Sequence, residues 1–354
     1  MVSFKSLGLF GILAAANPIE PGVLDRRAIS ETDLNNFKFW VQYSAAAYCN
    51  VNNDAGSLVT CGSGQCPSVQ SNRATIVRTI SGPNSGLSAF VAVDPVQKAV
   101  VISVRGTINI RNWITKYDTS SPNHAKATPP ATNTHTQSLN FGYTDCPSGF
   151  PSGCTMHSGF KLAWEEISAS VISSVNSALA SNPSYRVVST GHSLGGAVAA
   201  IGTAHLRRTL SRSIDIYSYG APRIGNSVFV DYLSSQSGSH FRVTHGSDPV
   251  PRLPPAFLGF RHTTPEYWIA SNAGDDGVWG SNEISVCTGT VNLSCNGGTV
   301  LLDIIAHLTY FQSVGGCFGA TRREDDLVIS EEALAERLKT LSLLDQEYFK
   351  NHSE

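Results

Sequence analysis

Along the middle of the chain the apolar positions follow two rhythms. In NNFKFWVQYSAAAYC (35–49) they recur every three to four residues, which predicts a first helix. LSAFVAVDPVQKAVVISVRG (87–106) is two β-branched runs joined at Asp94–Pro95, the pattern of a hairpin. HSGFKLAWEEISASVISSVNSALASNP (157–183) reads as a long amphipathic helix that Pro183 stops. YRVVSTG is a strand, and the helical SLGGAVAAIGTAHLRRTL follows it directly. SIDIYSYG and HFRVTHG are further strands, each ending in a glycine or a turn. Strands alternating with helices imply an α/β domain with a mostly parallel sheet covered by helices.

Three segments depart from this rhythm. MVSFKSLGLFGILAAANP carries Lys5 and an apolar run from Leu7 to Ala16, a secretory signal pattern too short to span a bilayer. We therefore expect a signal peptide over 1–16, a propeptide over 17–27 ending at Arg26–Arg27, and a catalytic domain over 28–320. The second is an apolar piece around Trp113 that runs into a Pro-, Thr-, Ser- and Asn-rich stretch. The third is the tail, 321–354, whose 34 residues hold 14 of the chain's 52 charged side chains. Within it SEEALAERLKTLSLLDQEYF has amphipathic periodicity, with Ser330 placed as an N-cap. Two readings suit the tail, a helix docked on the domain or a pro-segment removed at Arg322–Arg323, and the abrupt composition shift favours the second.

Net charge is −2, so no basic field invites nucleic acid or an anionic surface. No second stretch is long and apolar enough for a transmembrane segment. Charged residues are 15% of the chain, against about 25% in ordinary soluble proteins. The eight cysteines of an exported chain imply disulfides. Cys61/Cys66, Cys146/Cys154 and Cys287/Cys295 are local pairs across polar loops, leaving Cys49 and Cys317 to close the two ends of the domain. With no CxxC spacing and no neighbouring histidine, we expect neither a metal nor another cofactor.

Gly191-His192-Ser193-Leu194-Gly195 is a GxSxG pattern between a strand and a helix, which marks Ser193 as a nucleophile lifted above the sheet on a sharp turn. A serine needs a base, and the base needs an orienting carboxylate. Asp248, where the loop GSDPVPRLPP leaves the strand HFRVTHG, leads Asp215, Asp275 and Asp276 as that carboxylate. His307 in DIIAHLTYF leads His262 as the base, with His262 still open on the residues alone. His192 neighbours the nucleophile, so its side chain is expected to face away in a packing role. Thr107, after VVISVR and Gly106, is positioned to join the N–H of Leu194 as an oxyanion donor.

From about residue 35 to 320 the chain resembles the secreted fungal class 3 lipases, an α/β-hydrolase family. The resemblance rests on NNFKFWVQY, VRGTINIRNWI, RVVSTGHSLGGA, YSYGAPRIGN, RVTHGSDPVPRLPP, HTTPEYW and DIIAHLTYF. It implies a Ser193–Asp248–His307 triad, an oxyanion hole at Thr107 and Leu194, and Tyr48 lining the cleft. It also implies the pairs Cys49–Cys317, Cys61–Cys66 and Cys146–Cys154, while Cys287–Cys295 rests on local spacing. The family's lid maps onto 108–115, where Ile108, Ile110, Trp113 and Ile114 form an apolar surface. Each such side chain left in water forfeits about 1.5–3 kcal/mol, so the lid is expected to close in solution and open at an oil–water interface. Unlike the family, this chain carries about twenty extra residues after the lid, over 116–137.

The activity so implied is hydrolysis of acylglycerol esters at a lipid–water interface by a secreted triacylglycerol lipase, monomeric and without cofactor. Phospholipase A1 and soluble-ester (feruloyl) esterase chemistry on the same fold are the alternatives. Asn292-Leu-Ser is the glycosylation sequon within the domain.

Overall fold

A computed structural model describes residues 24–25, 29–62, 64–107, 142–270, 279–317 and 330–352. The expected signal peptide, the lid residues Ile108, Ile110, Trp113 and Ile114, the 116–137 insertion, Asp275, Asp276 and both dibasic pairs lie outside the described residues.

The strands in chain order are β1 (Leu24–Asp25), β2 (Thr75–Ser81), β3 (Ser88–Asp94), β4 (Ala99–Val104), β5 (Tyr143–Asp145), β6 (Thr155–His157), β7 (Arg186–His192), β8 (Ile214–Tyr219), β9 (His240–His245), β10 (Glu266–Ile269) and β11 (Ile284–Cys287). The helices are α1 (Glu31–Cys49), α2 (Pro67–Ser71), α3 (Ser158–Ser181), α4 (Leu194–Leu210), α5 (Ser227–Ser235), α6 (Ile304–Leu308) and α7 (Glu331–His352). Nine strands form one sheet in the order β1-β11-β10-β9-β8-β7-β4-β3-β2, and β5 pairs with β6 apart from it. The central run from β4 through β7, β8 and β9 to β10 is parallel, as the alternating pattern requires. The hairpin at Asp94–Pro95 supplies the antiparallel pair β3–β4. β1, within the stretch expected to be a propeptide, pairs antiparallel with β11.

Both faces of the sheet are covered, so its inner strands are apolar on both sides. In β4, Val100, Ile102 and Val104 join one core with Phe160 and Trp164 of α3 and Val198 and Ile201 of α4. Ala99 and Val101 of the same strand face the opposite core, built around α1. There Phe37 meets Tyr267 at a centroid distance of 4.9 Å and Phe241 at 5.7 Å, and Trp40 stacks on Tyr217 at 5.5 Å. Ser30 caps α1 by accepting from the Asp33 N–H. All four cysteine pairs are closed: Cys49–Cys317, Cys61–Cys66, Cys146–Cys154 and Cys287–Cys295.

The tail helix is docked, with Ser330 accepting from the Ala333 N–H at its start. Leu334, Leu338, Leu341 and Phe349 bury one stripe of α7. Asp345 lies in that stripe, where its carboxylate meets Arg223 at 2.8 Å. Asn292, the expected glycan acceptor, is only 4% exposed. Its Nδ2 donates to the Thr288 carbonyl at 2.8 Å and its Oδ1 accepts the Ser294 N–H at 2.7 Å, so a glycan there requires this Asx turn to open.

Phe37→Ala removes a buried ring whose place surrounding aromatics cannot fill. We expect a loss of about 3–5 kcal/mol, read by urea unfolding. His157, His192 and His262 are buried, and desolvation holds all three below the ordinary imidazole range, His157 at about 3. Below about pH 6.5 the unfolded chain binds protons that these folded histidines refuse, so stability must fall as the solution is acidified. Calorimetry at pH 7 and pH 5 should therefore give a lower Tm at pH 5; an unchanged Tm would contradict neutral burial.

Candidate active site

The chain reverses between β7 and α4 at Ser193, whose φ of 58° and ψ of −134° lie in a region non-glycine residues avoid. Such a backbone costs on the order of 1–3 kcal/mol and persists only where packing enforces it. The glycines beside it make that packing possible. A Cβ at Gly191 would sit 2.5 Å from the Gly195 carbonyl, and one at Gly195 would collide with the Val104 carbonyl. The start of α4 and the end of β4 can therefore touch, which brings Gly106 beside Ser193. A Cβ at Gly106 would lie 2.5 Å from the His192 carbonyl and 3.1 Å from the Ser193 Cβ. Leu194 opens α4, so its N–H is among those with no carbonyl partner one turn below.

Asp248 leaves β9 three residues beyond its last residue and is fully buried. Its Oδ1 accepts the Val250 N–H at 2.9 Å. His307, on α6, brings its Nδ1 to 2.8 Å from Oδ2 and 3.0 Å from Oδ1. An ionised carboxylate only accepts, so Nδ1 carries the hydrogen and Nε2 is left with a lone pair. Among the described residues, neither His307 Nε2 nor Ser193 Oγ has a hydrogen-bond partner, although both atoms are buried. Asp303 holds α6 in place by accepting the Ala306 N–H at 2.8 Å.

The other candidates take different places. His262 donates from Nε2 to the Pro251 carbonyl at 2.7 Å, and Asp215 accepts the Ser239 N–H at 2.9 Å. Neither reaches the Asp248–His307 pair. His192 does not turn away from the site as expected. Its ring lies 4.6 Å from that of His307, and Nε2 donates to the His307 carbonyl at 2.7 Å. Because a carbonyl can only accept, Nδ1 is the acceptor, and the Tyr48 hydroxyl donates to it at 2.9 Å. Burial first, then the neighbouring His307, pushes the His192 imidazole well below its usual range, so it stays neutral. Tyr48 is thus linked through His192 to the His307 carbonyl, beside Gly106.

Sequence and structure comparisons place this arrangement. The Lipase (class 3) family model matches residues 101–258, and the Lipase 3 N-terminal region model matches 10–78. The secreted mono- and diacylglycerol lipase 1 of Fusarium solani is 43% identical over 346 residues, covering 95% of each chain. The chain belongs to the class 3 lipase family. It is a carboxylic ester hydrolase with the α/β-hydrolase fold. The secreted mono- and diacylglycerol lipase A of Penicillium cyclopium is 35% identical, over 83% of this chain and 90% of its own. The crystal structure of the mono- and diacylglycerol lipase from Aspergillus oryzae superposes with a TM-score of 0.70 at 34% identity, covering 81% of this chain and all of that one. Among the described residues no helix of this lipase is long and apolar enough to cross a membrane.

Three residues around the site escaped sequence reasoning. Tyr310 donates its hydroxyl to Asp248 Oδ2 at 2.5 Å. Burial and the adjacent Asp248 hold that phenol well above its usual range, so it remains a donor. His245 donates from Nδ1 to the Thr309 carbonyl at 2.6 Å and lies 3.1 Å from that of Ala306, bracketing His307. Gly106 matters for the side chain it lacks. The one available signal was position: Tyr310 follows His307 by three residues, just beyond the end of α6, and His245 precedes Asp248 by three residues.

Tyr310→Phe removes a hydrogen bond to a charged group, an interaction of about 1.5–3 kcal/mol. We expect kcat on a soluble ester to fall about tenfold with KM little changed, measured by steady-state kinetics.

Proposed function

We propose that this lipase hydrolyses acylglycerol esters at an oil–water interface, through Ser193 as nucleophile, His307 as base and Asp248 as the carboxylate that orients it. The buried, hydrogen-bonded Asp248–His307 pair behind a strained Ser193 is the observation that carries the reading. His307 Nε2 takes the Ser193 proton as Oγ attacks the ester carbonyl, and the negative charge moves to the carbonyl oxygen. The N–H groups of Thr107 and Leu194 hold that oxyanion. The imidazolium then protonates the leaving alcohol, and water deacylates Ser193 by the same route in reverse. Asp248 supports the imidazolium, and Tyr310 and the Val250 N–H keep the carboxylate aimed at Nδ1.

Mono- and diacylglycerols, named for the Fusarium and Penicillium relatives, are proposed substrates alongside triacylglycerol. Secretion of those relatives, together with the apolar run after Lys5, supports an exported, extracellular enzyme. Ile305 and Leu301, near His307 in the chain, are 69% and 60% exposed, which suits an active-site face that meets lipid. Ile108, Ile110, Trp113 and Ile114 complete the proposal as the lid whose apolar face gains from an oil phase.

The test compares monoacylglycerol, diacylglycerol, triacylglycerol, phosphatidylcholine and a soluble feruloyl ester, each below and above its solubility. We expect a rate jump on emulsified acylglycerols and a drop of at least about 10⁴-fold in Ser193→Ala. A flat profile favouring the soluble ester would overturn the interfacial reading.

A further inference from the structure

The charged tail reaches the catalytic loops through two buried arginines. Arg252 follows Asp248 by four residues, and its guanidinium donates to four groups. Nη2 donates to the Ser247 carbonyl at 3.3 Å and to the Leu301 carbonyl. Nη1 donates to the Thr299 carbonyl and to Ser342 Oγ of α7, both at 2.8 Å. One side chain thus ties the residue before Asp248 to the segment that runs into His307, with the tail helix behind it.

Arg223 performs the companion task. Its Nη1 donates to the Arg252 and Pro254 carbonyls at 2.6 and 2.8 Å, and to Asp345 Oδ2 at 2.8 Å. Asp345 in turn accepts the N–H groups of Ala256 and Phe257, both at 2.9 Å. The loop 252–257 is therefore held from both sides by one carboxylate of α7. Burial draws the Arg252 guanidinium down to about 10, with Asp248 and then Asp345 opposing that shift. A buried cation keeps its charge only where acceptors surround it, and α7 supplies one carboxylate and one hydroxyl to this pair.

We propose that Asp345 and Ser342 are positioning residues for hydrolysis: through Arg223 and Arg252 they hold the loops that carry Asp248 and lead into His307. The proposal rests on the triad reading above. It makes α7 a working part of the folded enzyme. The catalytic step itself is unaltered; the tail sets where the carboxylate and the imidazole meet, and a misplacement of about 1 Å there costs up to about 10²-fold.

The experiment uses the full-length enzyme and a soluble short-chain p-nitrophenyl ester, which takes the oil interface out of the measurement. Rates are expressed per active serine, counted by phosphonate labelling run to completion, at a temperature well below each variant's Tm. Asp345→Ala should lower kcat about tenfold with KM within about twofold. Ser342→Ala should lower kcat about threefold, and Ser342→Thr, which keeps the hydroxyl, should restore it. Lys339→Ala, on the exposed face of α7, should match the wild type. If Asp345→Ala does not fold, Asp345→Asn and the Ser342 pair carry the test. A lower Tm with unchanged kcat per labelled serine in these variants would overturn the proposal and leave α7 a structural strut. Activity surviving in Ser193→Ala would instead overturn the nucleophile assignment.

Discussion

The contact between Asp248 and His307 is the constraint around which the site is assembled. It joins a loop to a short helix, residues 59 positions apart in the chain, and both partners are buried. A carboxylate removed from water is tolerated only when its oxygens are met by donors. Asp248 has three: the His307 ring, the Tyr310 hydroxyl and the Val250 N–H. That set also dictates the tautomer of a neutral His307, because a carboxylate that can only accept leaves the second ring nitrogen as the acceptor.

The surroundings of this pair are polar to an extent unusual for a protein interior. Arg242 meets Glu266 at 3.1 Å, and Thr244 donates to the same carboxylate. Arg223 and Arg252 meet Asp345 and Ser342 of α7, His192 holds the carbonyl of His307, and His245 holds those of Ala306 and Thr309 on either side of it. Such networks contribute little net stability, because desolvation offsets most of the Coulombic gain. What they supply is a restricted arrangement: the terminal guanidinium nitrogens named above have designated acceptors, so the segments around Asp248 and His307 have few alternative positions. The apolar cores on the two faces of the sheet do the opposite work, holding the scaffold with little directional demand.

Much of the scaffold was legible. The helix over 35–49 begins four residues earlier than its pattern, at Glu31, because Ser30 caps it. The hairpin at Asp94–Pro95, the long helix ending before Pro183 and the strand–Ser193–helix unit fall where the periodicity puts them. Short strands such as β10 and β11 were not legible, since four residues are too few to establish a period. The tail was legible as a helix, with docking on the domain one of two readings and the less favoured. Its apolar stripe is interrupted by Asp345, which looks like a solvent-facing charge until Arg223 is placed opposite it.

By itself, the sequence determined the alternation of strands and helices and the sharp strand–Ser193–helix turn, because periodicity, capping and the GxSxG pattern act between residues close in the chain. From the residues alone His262 remained beside His307 as a base, and His192 was expected to face away. Tertiary structure decided where each of these rings lies. His262 meets the Pro251 carbonyl, while His192 crosses 115 positions to hold the carbonyl of His307. It also decided the fate of Asp345, which pairs with an arginine 122 positions away. A hydrogen bond of this kind depends on distance and angle in space, and local pattern along the chain carries neither.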